Sequence, residues 1–514
     1  MTRYVWALVL VVAQTSLAQE RIDEEVIARI KMEGFQRSRL METLSYLTDV
    51  YGPRLTGSPG LDAAASWCVE KLKGWGLASA RLESWGEFGR GWSVESYSVE
   101  MTAPRYARLS AYPHAWSPST DGVIEGTPML VEIGGKEDFD TYRGKLKGRI
   151  VLRGLPEPAR SRFEAEGKRL DEREMSEATR AIHPGEPRGF WEEADEWDET
   201  VAREREIVEF FRDEGIAVLI EPSERDGAIV RVSALGYFLG TDISYFPSFV
   251  MAKEHYGPIL RILEKDVAAT LKISLQASFT DRVEGNNVLA DLPGSDAERS
   301  DELVMLGAHL DSWHAGTGAT DNAAGAAAMM EAVRILEAVG AAPRRTIRLA
   351  LWTGEEQGYF GSLGYVTRHF GDPETMVLTP EHEKLSAYFN LDNGTGRIRG
   401  VYLQGNEAAR PILEAFLAPF AYLEAAGLTV LNTGGTDHLP FHALGLPGFQ
   451  FVQDPIDYDT RTHHTNLDVY ENLLEEDLEQ AAVIIASVAY HAAMRDERFP
   501  RPRLPQPRPE AKKN

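Results

Sequence analysis

The sequence predicts an α/β protein: a mostly parallel mixed sheet flanked by helices, with a β-rich insertion. Three observations predict it. Beyond Asn287, short apolar runs alternate with helical segments, the pattern of a parallel sheet covered on both faces. Before Ala111 lies a long stretch that alternates polar and apolar residues, as strands do. Between these parts, from about 115 to 285, short β-rich runs flank a long charged stretch.

The elements follow in order. Residues 1–18 have the form of a signal peptide: Arg3, then an apolar Val5 to Ala13, then Ser16-Leu17-Ala18 before a cut at Gln19. Gln19 offers no thiol for a lipid anchor, so the expected location is secreted or periplasmic. Residues 22–51 read as helices, and Tyr51 to Ser58 as a loop dense in turn formers. Leu61 to Trp75 returns to helical spacing and holds Cys68, the only cysteine; no intrachain disulfide is available, and Cys68 reads as a small core residue. In the insertion, Met129 to Ile133 and Arg149 to Leu152 read as strands, Arg160 to Asp213 as charged, solvated helix, and Ile216 to Ile220 as a buried strand. Later strands are expected at Val304–Leu306, Ile347–Leu351, Ala387–Phe389 and Phe449–Val452. Helices are expected at Ala323–Val339, Leu363–Phe370, Ala408–Glu424 and Leu474–Met494. The tail, 499–514, is rich in Pro, Arg and Lys and reads as disordered.

Bulk properties exclude some functions. A net charge of -25 repels nucleic acid and anionic lipid. No internal run approaches the ~18 apolar residues of a membrane-spanning helix.

The residues that carry chemistry follow the strands. His309 and Asp311 come just after Val304–Leu306, and Asp321 opens the Ala-rich helix. Glu355 and Glu356 follow the strand ending at Trp352; Asp392 follows Leu391; His464 lies in a loop beyond Val452. In open α/β sheets, ligands bind outside the carboxyl ends of the strands. Imidazole with carboxylate and no thiolate suits zinc, with manganese or cobalt also possible. Asp321, Glu356 and Asp392 with one bridging hydroxide would neutralise two divalent ions. Each ion would take one of His309 and His464, with Asp321 shared, at the ~3.5–4 Å spacing of dinuclear hydrolases. Asp311 is placed to orient the His309 imidazole. A lone His is more often a satisfied structural group, and Glu-Glu a solvated surface pair. The order and spacing of the whole set carry the reading.

Gly307-Ala308-His309-Leu310-Asp311-Ser312-Trp313, Asp321-Asn322-Ala323-Ala324-Gly325, Trp352 to Gly358 and His463 to Asp468 resemble the co-catalytic zinc aminopeptidase and carboxypeptidase family. Gly52 to Ser58 is similar to the segment opening a member's mature domain. The resemblance implies the zinc exopeptidase fold, with a peptidase domain at 19–114 and 286–498. It implies that 115–285 is a protease-associated domain, a module that Lys147 to Leu152 also resembles. It implies His309, Asp321, Glu356, Asp392 and His464 as ligands of two zinc ions, Glu355 as general base, and a homodimer. Gly435 to Phe441 resembles the aminopeptidase branch. Thr436, Asp437 and His438 are therefore pocket candidates, or else cap the helix that follows. Arg461 would hold a substrate carboxylate, or is an ordinary loop Arg; His463 fills space beside the ligand. Asp311, Asp437 and Asp468 are surplus to the ligand set, and some would face a substrate ammonium. The expected function is a secreted di-zinc exopeptidase (an aminopeptidase or dipeptidase) that hydrolyses short peptides with a free N-terminus. Carboxypeptidase specificity, a glutaminyl cyclase-like acyltransferase needing one zinc, and a non-enzymatic binding module remain the alternatives.

Overall fold

The computed structural model describes residues 20–158, 163, 165–185, 190–235 and 245–508. The expected signal peptide lies outside the described residues. The strands, in chain order, begin with a long β1 (Ala78–Ala103), then β2 (Ala107–Arg108), β3 (Ala111–Pro113), β4 (Ile124–Gly126), β5 (Met129–Val131) and β6 (Ile150–Arg153). There follow β7 (Val218–Pro222), β8 (Ser248–Met251) and a second long strand, β9 (Thr270–Leu292). The last part supplies β10 (Leu303–His309), β11 (Thr346–Trp352), β12 (Gly371–Asp372), β13 (Val377–Leu378), β14 (Leu385–Asn390), β15 (Ile398–Tyr402), β16 (Gly427–Thr429) and β17 (Gly448–Gln453).

Among the described residues, ten strands form one sheet in the order β16-β15-β17-β14-β10-β11-β9-β1-β2, with β4 also on β9. The sheet is mixed, as expected, with its parallel pairs at the centre and at the β16 edge. The β17/β14, β14/β10 and β10/β11 pairs are parallel, whereas β11/β9, β9/β1 and β15/β17 are antiparallel. The reason is connectivity. Parallel neighbours need crossover connections, and in this sheet every parallel pair is formed by strands from β10 onward.

Alternation within β10 divides the core. Val304, Leu306 and Ala308 turn to one face, where they pack with the helices Glu24–Gln36, Pro59–Gly74, Ala324–Ala338 and Glu475–Met494. Met305 turns to the other face, with Trp352, Tyr388 and the helices Phe360–His369 and His438–Ala443. The helix Ala324–Ala338 buries nearly all of its small side chains, as a helix apolar on every side must. Cys68 is buried and free in this core.

A second sheet, β3-β8-β7-β6-β5, is built between the two halves of the large one. One face packs on β1, β9 and the helix Lys253–Leu263; the other packs on the helix Phe190–Glu214. Two expectations need correction here. The boundary set at 285 falls inside β9, which pairs with β1 from Thr270 to Asp291 and so belongs to the large sheet. The charged stretch is not wholly solvated: Ile207, Val208, Phe210 and Phe211 are buried against the second sheet.

The tail also departs from expectation over 499–508. Phe499 is 2% exposed and packs on Phe389 and Phe449, and Arg501 donates to the carbonyls of His382 and Leu385. One buried aromatic ring and two well-placed carbonyls fix a Pro-rich strip that composition alone would leave free. Residues 509–514 lie outside the described residues.

Candidate metal centre

Four strand ends of the parallel core deliver the predicted ligand types to one place. His309 ends β10 and is 1% exposed. Its Nε2 lies 3.2 Å from Asp321 Oδ1 and 3.3 Å from Asp392 Oδ1. His464 Nε2 lies 3.3 Å from Asp321 Oδ2 and 2.9 Å from Glu356 Oε2. Asp321 is thus the common member of two sets, His309–Asp321–Asp392 and a second that includes His464. His463 joins the second set, with Nε2 3.9 Å from Asp321 Oδ2. The sequence reading treated it as filler.

Asp311 sits behind these groups, wholly buried. Its backbone carbonyl is 2.9 Å from His309 Nδ1. Its carboxylate accepts the amides of Glu355 (3.3 Å) and Glu356 (3.2 Å) and the Thr56 hydroxyl (3.0 Å). One side chain therefore fixes the loop of both adjacent glutamates. Asp468 does the same for Asp321, accepting the amides of Thr320 and Asp321. Both carboxylates are spent on protein donors, which removes Asp311 and Asp468 as partners for a substrate ammonium. Glu355 is 8% exposed, its Oε2 3.9 Å from His309 Nε2.

The remaining candidates sit elsewhere. Thr436, Asp437 and His438 are at most 2% exposed and lie beneath the rim rather than open to a pocket. Thr436 Oγ1 accepts from Asn390 Nδ2 at 2.8 Å, Asp437 takes the Ser362 hydroxyl at 2.5 Å, and His438 is held by Gln404 and the Thr433 carbonyl. They brace the site from behind. Arg461 is near the surface, 3.7 Å from Asp457, and is not drawn into the cluster.

Two residues were missed. Arg54, in the turn-rich loop, is 0% exposed and donates to the carbonyls of Leu310 (2.7 Å), Thr317 (2.7 Å) and Gly318 (2.7 Å), tying β10 to the approach of Asp321. An Arg between Pro and Leu in an otherwise uncharged turn was the available signal. Glu193, from the helix Phe190–Glu214, reaches the rim and accepts Tyr359 OH and the Gly435 amide, each at 3.1 Å. Gly434 makes room, since a Cβ there would meet the Glu193 carboxylate. In sequence this glutamate was hidden among the charges of its helix.

The electrostatics are those of a cation site. Burial pushes Glu355 well above the ordinary carboxylate range and Glu356 up to about 7, against the pull of the nearby imidazoles. Burial and the charge of Asp321 push Asp468 up to about 7. The adjacent imidazoles of His309 and His464 outweigh burial at Asp321 and hold it well below that range. Asp321 Oδ2, Glu356 Oε1 and Asp392 Oδ1 are buried without a hydrogen-bond partner among the described residues. Buried, unsatisfied carboxylate oxygens converging on imidazole nitrogens fit divalent metal.

Residues 287–489 match the family model of Peptidase family M28. The rat (Rattus norvegicus) carboxypeptidase Q is 25% identical over 481 residues, which cover 93% of this chain and 90% of that protein. Among solved structures, a Peptidase M28 precursor from Shewanella amazonensis SB2B superposes with a TM-score of 0.67 at 23% identity, covering 94% of this chain and 98% of that one. A zinc aminopeptidase from Bacillus subtilis superposes with a TM-score of 0.57 at 18% identity, covering 90% and 96%. No helix among the described residues is long and apolar enough to cross a membrane. The M28 match thus spans the strand ends that gather these ligand types, and the chain is similar to carboxypeptidase Q over nearly its whole length.

Proposed function

We propose that the protein is a two-zinc exopeptidase acting on dipeptides and short peptides with a free N-terminus. The observation that carries this is the sharing of Asp321 between the His309 and His464 sets. His309, Asp321 and Asp392 would hold one ion; His464, Asp321 and Glu356 the other. Bound zinc would lower the pKa of a coordinated water and polarise the scissile carbonyl. Glu355 Oε2 takes a proton from the attacking water and delivers it to the leaving amine nitrogen. Asp311 holds the Glu355 amide so that the carboxylate faces the cleft. Asp311 is therefore a positioning residue.

Glu193, which accepts the Tyr359 hydroxyl and the Gly435 amide, would add negative charge at the rim toward a substrate ammonium. The second sheet and the helix Phe190–Glu214 would act as a protease-associated domain that limits access to short chains. Residues 1–18 would direct export. Relatedness to carboxypeptidase Q leaves a C-terminal preference as the competing reading. The deciding assay offers one dipeptide in free, N-acetylated and C-amidated forms. Acetylation should abolish cleavage, because the rim carboxylate loses its cation, and amidation should matter less. Cleavage of the acetylated form, with the amidated form resistant, would sink the N-terminal reading.

A further inference from the structure

The second sheet is joined to the metal centre by more than proximity. Two of its connecting segments grip the loop that carries His464. On one side Lys168 donates its amide to the Ile456 carbonyl at 2.8 Å, and the Leu170 amide and Arg169 guanidinium both bond Asp454. On the other, residues 230–232 form a short antiparallel ladder with 464–466. The Val232 amide donates to the His464 carbonyl at 2.9 Å, and the Asn466 amide to the Val230 carbonyl at 3.1 Å. The Val230 amide completes it by donating to Asn466 Oδ1 at 2.7 Å.

His464 needs such support. Its φ is 61°, in the left-handed region that a β-carbon disfavours and that persists only where surroundings over-determine it. The ladder fixes the carbonyl of that very residue. Val230 and Val232 are also buried beside Trp313, whose ring lies 6.0 Å from the His464 ring. His309 is held differently, by its own strand end and the Asp311 carbonyl.

We propose that residues 230–232 are a positioning element for His464, so that one of the two zinc positions depends on the inserted unit and the other does not. This rests on the reading of His464 as a ligand. Asn466 is the side chain that locks the ladder. Ser223 anchors it from the far side, its hydroxyl donating to the Ile229 carbonyl at 2.8 Å and accepting the Arg231 amide at 3.3 Å.

The test titrates the zinc-loaded full chain with a chelator and counts the zinc retained per chain. Asn466→Ala should release one ion at ~10–100-fold lower chelator, the usual effect of losing a group that orients a ligand, while the second ion is retained as in the parent. Asn466→Asp, which keeps the acceptor oxygen, should restore parental retention. Ser223→Ala alters the ladder without touching the 454–466 loop; it should shift the same ion and carries the test if Asn466→Ala does not fold. His464→Ala is the control. If it releases one ion while Asn466→Ala and Ser223→Ala hold both like the parent, the positioning role is overturned. Equal weakening of both ions in Asn466→Ala and Ser223→Ala would also overturn it, as general loosening. If His464→Ala itself retains both ions, the ligand reading falls instead.

Discussion

Arg54 donates to the backbone carbonyls of Leu47, Gly52, Leu310, Thr317 and Gly318, and no carboxylate pairs with it among the described residues. Burial lowers its pKa to about 10, so it remains charged. Each carbonyl left without a donor costs ~1–3 kcal/mol. Arg54→Met should therefore destabilise the protein by several kcal/mol, read from denaturant unfolding; a loss under ~1 kcal/mol would refute its bracing role. A lysine cannot repair it, because one ammonium does not span this fork of acceptors. The two adjacent glutamates should separate cleanly. Glu355→Gln should keep its zinc and lose ~10²–10⁴-fold in kcat, whereas Glu356→Gln should lose zinc affinity. The opposite pattern in metal content and rate would reverse base and ligand. At this scale the sequence was informative about the ligand types, because His and carboxylates recur directly after apolar runs. It marked Arg54 only as an odd charge in a turn and gave nothing for Glu193, since both roles depend on which distant groups they meet.

At the level of elements, the second sheet carries its own pH dependence. Glu221, at the end of β7, lies 2.8 Å from Arg153 and 3.1 Å from His114. Burial opposes its ionisation, but the hydrogen bond from His114 and the charge of Arg153 win and hold it at about 2. A carboxyl depressed in the folded state stabilises above its unfolded pKa and loses that contribution as pH falls. The window here is from ~4.5 down to ~2, worth on the order of 3 kcal/mol. Unfolding midpoints measured from pH 5 to pH 2 should fall less steeply in Glu221→Gln than in the parent; identical slopes would refute the assignment. Elements with strong local signals were legible: β10, β11, β14 and β17 are the apolar runs expected of buried parallel strands. β15 and β16 were not, being short strands in Gly-interrupted sequence. β9 was hidden because its register is set by β1, far upstream, and nothing in its own composition reveals that partner.

For the whole molecule, the centre is a concentration of buried carboxylates that a bound cation would neutralise. Removing zinc should lower the melting temperature as well as abolish activity, and restoring zinc should recover both. Differential scanning calorimetry with and without chelator checks this; an unchanged melting temperature would mean the cluster is neutralised some other way. The α/β plan was readable from alternation alone. The joining of the two sheets was not, since it brings together apolar side chains of segments distant in the chain. The pairing of β1 with β9 has a consequence for synthesis. β1 leaves the ribosome long before Thr270, and until then its hydrogen-bonding edge has no final partner. The chain must carry an open 26-residue edge through the translation of the entire insertion, a non-local contact that makes folding slow and the nascent state prone to association. Polypeptides that stop before β9 are therefore left with a permanent sticky edge.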